Sequence, residues 1–285
     1  MIVPPPALAL CAAACFGAAL IVTHFGLRFA STYTGARISL TTTFFLWWAL
    51  SPFFLDLTLW HSAAALIFAI VGVFYPAAVT VLTYESNRAL GPTLTGTVSS
   101  CAPLFATALA VGLLGEKLTV SIVVGGGVIV AALVMMSWQR SASVRLDWRL
   151  VLPLSGAALR GLAQTLSKLG LLMWPSPFAA SLIGYTVSGA AIWTIGPRRG
   201  VREKGVNRSA IPWFMAAGVL NGCAVLLLYE ALRTGRVSVV APLVALYPVF
   251  TIAFSALFLK AERLTPRLLL GSAMAVAGVA FLVSG

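Results

Sequence analysis

The sequence predicts an all-α integral membrane protein, with ten transmembrane helices arranged as two inverted five-helix repeats. Three observations predict it. Sixty per cent of the 285 residues are hydrophobic, only 9% are charged, and the mean hydropathy is +0.99; a soluble domain needs about 25% charged residues to cover its surface. The apolar residues fall into ten runs, each near the roughly 20 residues that a membrane span requires. The chain also repeats itself: "CAPLFATALAVGLLGEKLT" at 101–119 returns as "LYPVFTIAFSALFLKAERLT" at 246–265, pairing Pro103 with Pro248 and Glu116 with Glu262.

The first run, 6–27, follows "MIVPPPALAL", which has no positive n-region, and Leu10 before Cys11 is a poor cleavage context. It reads as a retained first helix and not as a removed signal. Runs at 33–54 and 61–83 follow. The fourth run, 92–115, and the ninth, 237–259, carry Pro103 and Pro248 in mid-run, where each removes a backbone hydrogen bond and predicts a kink. Thr119 and Thr265 stand where they would cap the fifth and tenth helices, 120–138 and 266–284. Those two helices carry Gly125, Gly126 and Gly127, and Gly271, Ala275 and Gly278, small residues that let helices approach closely. Runs at 150–172, 178–197 and 211–232 complete the set. The longest loop, "GPRRGVREKGVNRS", leaves no room for a soluble domain. A β-barrel would alternate polar and apolar residues over ten-residue segments, and these runs are continuous.

The repeat extends over both halves, 1–141 and 142–285. "HFGL" at 24–27 matches "KLGL" at 168–171, and Tyr84-Glu85 with Arg88 matches Tyr229-Glu230 with Arg233. Five helices per half is an odd number, so the second copy enters the membrane from the opposite side, as in many secondary transporters.

The formal net charge is +12, yet the basic residues lie mostly in short loops, which is the pattern of orientation signals and not of nucleic-acid binding. Loops after the odd-numbered helices hold fourteen Lys and Arg, against three (Lys117, Arg233, Arg236) on the other side. This bias places the odd-numbered loops in the cytoplasm and both termini outside. Cys11, Cys15, Cys101 and Cys223 all sit in apolar runs without metal spacing and read as small hydrophobes. There is no His-Glu-x-x-His, no Gly-x-Ser-x-Gly and no Walker loop, and only two histidines, His24 and His61. An enzyme, a metal site, a cofactor and ATP-driven transport are therefore not expected.

Tyr-x-Ala-Leu, then an apolar helix with a central Pro, then Glu-x-Leu-Thr resembles the EamA module of the drug/metabolite transporter superfamily. The second copy, "YEALRTGRVSVVAPLVALYPVFTIAFSALFLKAERLT", fits closely; the first, "YESNRALGPTLTGTVSSCAPLFATALAVGLLGEKLT", has Ser-Asn in place of Ala-Leu. The resemblance implies an inner-membrane permease with a central cavity lined by helices 1, 3, 4, 6, 8 and 9. It implies no particular substrate. The family is usually drawn with both termini inside, opposite to the charge count.

Arg160, Gln164 and Lys168 are spaced i, i+4 and i+8 and form one stripe on the sixth helix. The matching positions of the first helix are Phe16, Leu20 and His24, so the stripe departs from the repeat. A central Arg costs at least about 2.5–3.5 kcal/mol and faces a partner or a watery cavity. It is either a structural ion pair or a fork for a carboxylate or phosphate. Arg160, Gln164, Lys168, His24, Ser99, Asn221 and Tyr247 are the cavity candidates. Tyr84, Glu85, Tyr229 and Glu230 are the gate and proton-coupling candidates, although Arg88 and Arg233 three positions on offer Glu85 and Glu230 local ion pairs. Glu116 and Glu262 suit a helix-end electrostatic role.

The expected function is secondary transport, as an exporter, of a small polar or amphipathic metabolite such as an amino acid or another carboxylate-bearing compound. The expected partners are the lipid bilayer, the substrate and a coupling proton, and the carrier is expected to be a monomer. The alternatives are a pore or structural bundle and, among carriers, a drug or cation effluxer.

Overall fold

The computed structural model describes residues 3–80, 82, 86, 98–99, 101–137, 148–195, 208–258 and 266–284. Among them the regular structure is helical throughout. Helix α1 (Pro5–Gly26) begins on a run of prolines, which suits a first turn whose N–H groups have no intrahelical acceptor. Helix α2 (Thr32–Phe54) is capped by Ser31, whose Oγ accepts the Thr34 N–H at 3.2 Å. Helix α3 (Ser62–Phe74) stops at Tyr75-Pro76, and the chain turns helical again over 77–80. Helix α4 (Ala102–Leu114) ends on Gly115 at φ +65°, a left-handed C-cap that favours glycine. Helix α5 (Val120–Ser137) starts where expected, with Thr119 Oγ1 accepting the Ile122 N–H at 3.4 Å. Helices α6 (Val151–Met173), α7 (Pro177–Ile195) and α8 (Ile211–Thr234) follow, then α9 (Val237–Val244), α10 (Tyr247–Phe258) and α11 (Pro266–Ser284).

Among the described residues, four stretches are long and apolar enough to cross a membrane by themselves: Pro5–Gly26, Ser62–Thr80, Arg208–Thr234 and Val237–Phe254. Bulky apolar side chains point outward, Phe53 at 81% exposure and Val276 at 66% among them. Such a surface is stable against lipid and not against water.

The two prolines act differently from the expected mid-helix kink. Ala245 and Leu246 form a turn, and Pro248 stands in the first turn of α10. Pro103 likewise sits at the start of α4, after a turn at Cys101. Proline lacks the N–H that would bond four residues back, so each helix is interrupted there and restarted with proline where no N–H is needed.

The close contacts recur in pairs. A Cβ on Gly17 of α1 would lie 2.9 Å from Phe250 Cβ on α10, and one on Gly161 of α6 would lie 2.9 Å from Phe105 Cβ on α4. The Thr43 hydroxyl of α2 donates to the Gly218 carbonyl of α8 at 2.8 Å, and the Ser188 hydroxyl of α7 donates to the Gly72 carbonyl of α3 at 2.6 Å. Gly125 of α5 abuts Leu282 and the Gly278 carbonyl of α11, whereas Gly271 of α11 abuts Met136 and the Ala132 carbonyl of α5. Each contact therefore has a counterpart about half a chain away. Small residues and hydroxyl-to-carbonyl bonds are what holds helices together where lipid removes the hydrophobic drive.

The three glycines of α5 divide by this test. Only Gly125 is pressed against α11. A Cβ on Gly127 would meet nothing within 4 Å, and one on Gly126 would make ordinary contact with Pro242 at 3.8 Å. Gly125→Val is therefore expected to destabilise the purified protein by about 1–3 kcal/mol, the usual cost of overpacking. Gly127→Val should leave it unchanged, and thermal unfolding in detergent compares the two directly.

Candidate functional site

The interrupted helices carry polar side chains to one place. Tyr75 ends the first part of the third span, and Tyr247 opens α10 immediately after its break. Both hydroxyls lie in electrostatic reach of one another, and Tyr75 is also in reach of the Arg160 guanidinium from the middle of α6. Tyr185 of α7 and Tyr229 of α8 join them, each in reach of Tyr75, with Cys223 beside Tyr185. Tyr185 and Tyr229 are buried at 3% and 4% exposure, whereas Tyr75 and Tyr247 are half-buried. Tyr75 is thus the common neighbour of Arg160, Tyr247, Tyr185 and Tyr229, which come from four other helices.

The stripe on α6 faces this point, but its members differ from those expected. Ser167 is fully buried and approaches the Tyr229 hydroxyl without good hydrogen-bonding geometry. Gln164 Oε1 is also buried without a hydrogen-bond partner. Buried polar atoms are nearly always paired, so the unpartnered Gln164 oxygen, one turn from Arg160, marks a place where a polar ligand or water fits. Lys168 leaves the stripe. Its Nζ donates to the Leu232 carbonyl at 2.7 Å and the Arg233 carbonyl at 3.3 Å, capping the last turn of α8. A cation there complements the negative end of the helix dipole, and two of its three N–H donors are taken by these carbonyls.

The other expected residues are spread more widely. His24 is exposed near the end of α1, edge-on to Phe25. Asn221 is half-buried and donates its amide to the Ala217 carbonyl of its own helix at 2.9 Å. Ser99 is helical and half-buried. Glu230 points away from Tyr229 and pairs with Arg233 three residues on, at the edge of a surface pocket of about 390 Å³ that Asp56 and Trp174 also line. Asp56, in the loop after α2, accepts the Thr58 hydroxyl at 2.6 Å and the Thr58 N–H at 2.8 Å, and these bonds hold its carboxyl below the usual range. Tyr84, Glu85, Arg88, Glu262 and Thr265 lie outside the described residues.

Sequence reasoning missed Tyr75, Tyr185 and Ser167. A Tyr-Pro pair in the middle of an apolar run was the one local signal for Tyr75. Ser167 shares a helix face with Arg160 and Gln164 at i+7 and i+3. Nothing local marks Tyr185, whose neighbours come from other helices.

The model of the EamA-like transporter family matches the chain twice, over residues 5–138 and 148–284. No curated protein matches the sequence. A solved structure described only as "Crystal structure of protein" superposes with a TM-score of 0.79 over 97% of this chain and 95% of its own, at 15% identity, and that likeness is one of fold. With both halves matched almost end to end, the chain is a multi-pass membrane protein and belongs to the EamA-like transporter family.

Proposed function

We propose that the protein is a secondary carrier, an exporter of a small polar or amphipathic metabolite with an anionic group, bound at Arg160 and the surrounding tyrosines. The observation that carries this reading is Tyr75 at a helix break with Arg160, Tyr185, Tyr229 and Tyr247 as its electrostatic neighbours, together with the buried, unpartnered oxygen of Gln164 four residues from Arg160. The guanidinium offers a planar fork to a carboxylate or phosphate. Phenol hydroxyls add donors to the same anion, and the Gln164 oxygen accepts from a ligand N–H or O–H. Low dielectric strengthens each of these contacts.

On this reading ten spans form two inverted repeats, and the ligand is passed across the membrane as the halves rock about the site. The doubled contacts at Gly17 and Gly161, Thr43 and Ser188, and Gly125 and Gly271 support the inversion. Breaks at mid-span support a midplane site, because discontinuous helices present free backbone groups to the cargo. The carrier works as a monomer in the inner membrane, driven by a proton gradient. Orientation follows the charge count, which is strengthened by what the minority cations do. Arg233 is tied to Glu230, and Arg236 donates to the Lys117 carbonyl, so these charges are committed to local contacts.

Three measurements test the reading. In a thermal-shift screen against small anionic metabolites, a ligand at a hundredfold excess over its Kd stabilises the native state by about 2.7 kcal/mol. Arg160→Lys should weaken that ligand by roughly tenfold or more, on the scale of a lost charged hydrogen bond, while leaving the unliganded melting temperature in place. Retained affinity in a folded Arg160→Lys protein removes the anion site. Glu230→Gln should leave the pH dependence of counterflow in proteoliposomes unchanged, since its carboxylate is held in a local pair; loss of pH dependence would return Glu230 to the coupling role. Labelled ligand that leaks without exchange acceleration would identify a pore. A cysteine in the 198–208 loop should resist an impermeant thiol reagent applied to intact cells, and ready labelling reverses the orientation.

A further inference from the structure

Glu116 belongs to the segment after α4, yet its carboxylate is bound to the start of α9. Oε1 accepts the Val237 N–H at 2.7 Å, and Oε2 accepts the Ser238 N–H at 3.0 Å and the Ser238 hydroxyl at 2.6 Å. These are the first N–H groups of a helix, which have no intrahelical acceptor and carry the positive end of the dipole. Arg236, just before α9, donates back to the Lys117 carbonyl. Lys168 of α6 lies in electrostatic reach of Glu116 while it holds the last carbonyls of α8. The turn between α8 and α9 is also pressed by the start of α1: a Cβ on Gly235 would lie 2.7 Å from Pro5 Cβ. Elements of both repeats therefore meet at one end of the bundle. Val237 and Ser238 are themselves fully buried, as are Val240 one turn further along α9 and Leu228 and Leu232 on either side of Tyr229 in α8.

We propose that this interlock is the closed gate on its side of the carrier, with the Glu116 carboxylate as the latch that joins the first repeat to α9 of the second. The proposal rests on the carrier reading above. The chemistry suits a contact that opens and closes. Each latch bond is polar and lies at the end of the bundle, so water can take the place of either partner when it parts, and the net cost of exchange is small. The glycine contacts of α1 with α10 and of α6 with α4 are different, because separating them leaves voids in a close-packed interior. A gate needs the first kind of contact and a hinge or fixed seam needs the second.

Accessibility decides it without a substrate. Val240→Cys is placed in a protein whose four native cysteines are replaced by alanine. An impermeant maleimide is then applied from the side that carries Glu116. With the latch intact, the thiol introduced by Val240→Cys should label slowly. Glu116→Gln should raise the rate about tenfold or more, on the scale of losing charge-assisted bonds. Ser238→Ala, which removes one bond of the three, should raise it less, and both proteins should keep the parental melting temperature. An unchanged rate in both variants overturns the gate, as does a rise seen only together with a lowered melting temperature. Failure of the anion site in the ligand screen would leave this readout unaffected, so the two ideas fail separately.

Discussion

A bilayer gives no hydrogen bonds to an exposed peptide group, so each span must satisfy its own backbone or lean on protein or enclosed water. The arrangement around the centre of this bundle follows from that constraint. The stretch Ser62–Thr80 breaks at Tyr75-Pro76, a helix starts at Ala102 after the turn at Cys101, and the stretch Val237–Phe254 is cut at Ala245-Leu246. Breaks of this kind are tolerable only where they face a polar interior. Tyr75 and Tyr247 lie at two of them, and Tyr75 is in electrostatic reach of both Tyr247 and Arg160. The site is thus where the interrupted backbone already demands polarity, and the phenols and guanidinium are placed to meet it.

The same solvent changes what holds helices together. Burying leucine against leucine contributes little when the alternative is a lipid tail, so packing and hydrogen bonds decide the contacts. Gly17, Gly161, Gly125 and Gly271 bring backbones close, and Thr43 and Ser188 donate their hydroxyls to carbonyls of neighbouring helices. These seams are unsuited to sliding. The Glu116 interlock is made of ionic and backbone polar groups at one end of the bundle. Rigid seams inside the bundle and exchangeable bonds at its end form a natural division between parts that move as units and contacts that part.

Charge is allotted in a similar way. Among the described residues there are three carboxylates: Asp56 is engaged by Thr58, Glu116 by α9 and Glu230 by Arg233. Lys168 and Arg236 are taken up by helix-end and loop carbonyls. The ion pairing and capping lie towards one end of the bundle, and Arg160 lies at its centre among tyrosines. On the proposed reading Arg160 is the point of contact for an anion, because a charge in the low-dielectric centre acts most strongly on whatever replaces water there.

Composition and run length are properties of the chain as a string, so the membrane class, the helical character and the doubled pattern could be read directly, as could the cap at Thr119. Spacing along α6 placed Lys168 beside Arg160 and Gln164. Whether a long side chain uses its donors on a ligand or on the carbonyls of α8 depends on which helix end lies nearby, and Lys168 found one. Prolines announced irregularity at 103 and 248, but whether the chain bends or restarts there is decided by packing and not by the proline alone. Tyr185, Ser167 and the hold of Glu116 on α9 were out of reach for the same reason. Their partners stand on other helices, in the last case 121 residues away. A single sequence records the period of each helix and not the rotation of one helix about another, and only packing the bundle sets that rotation.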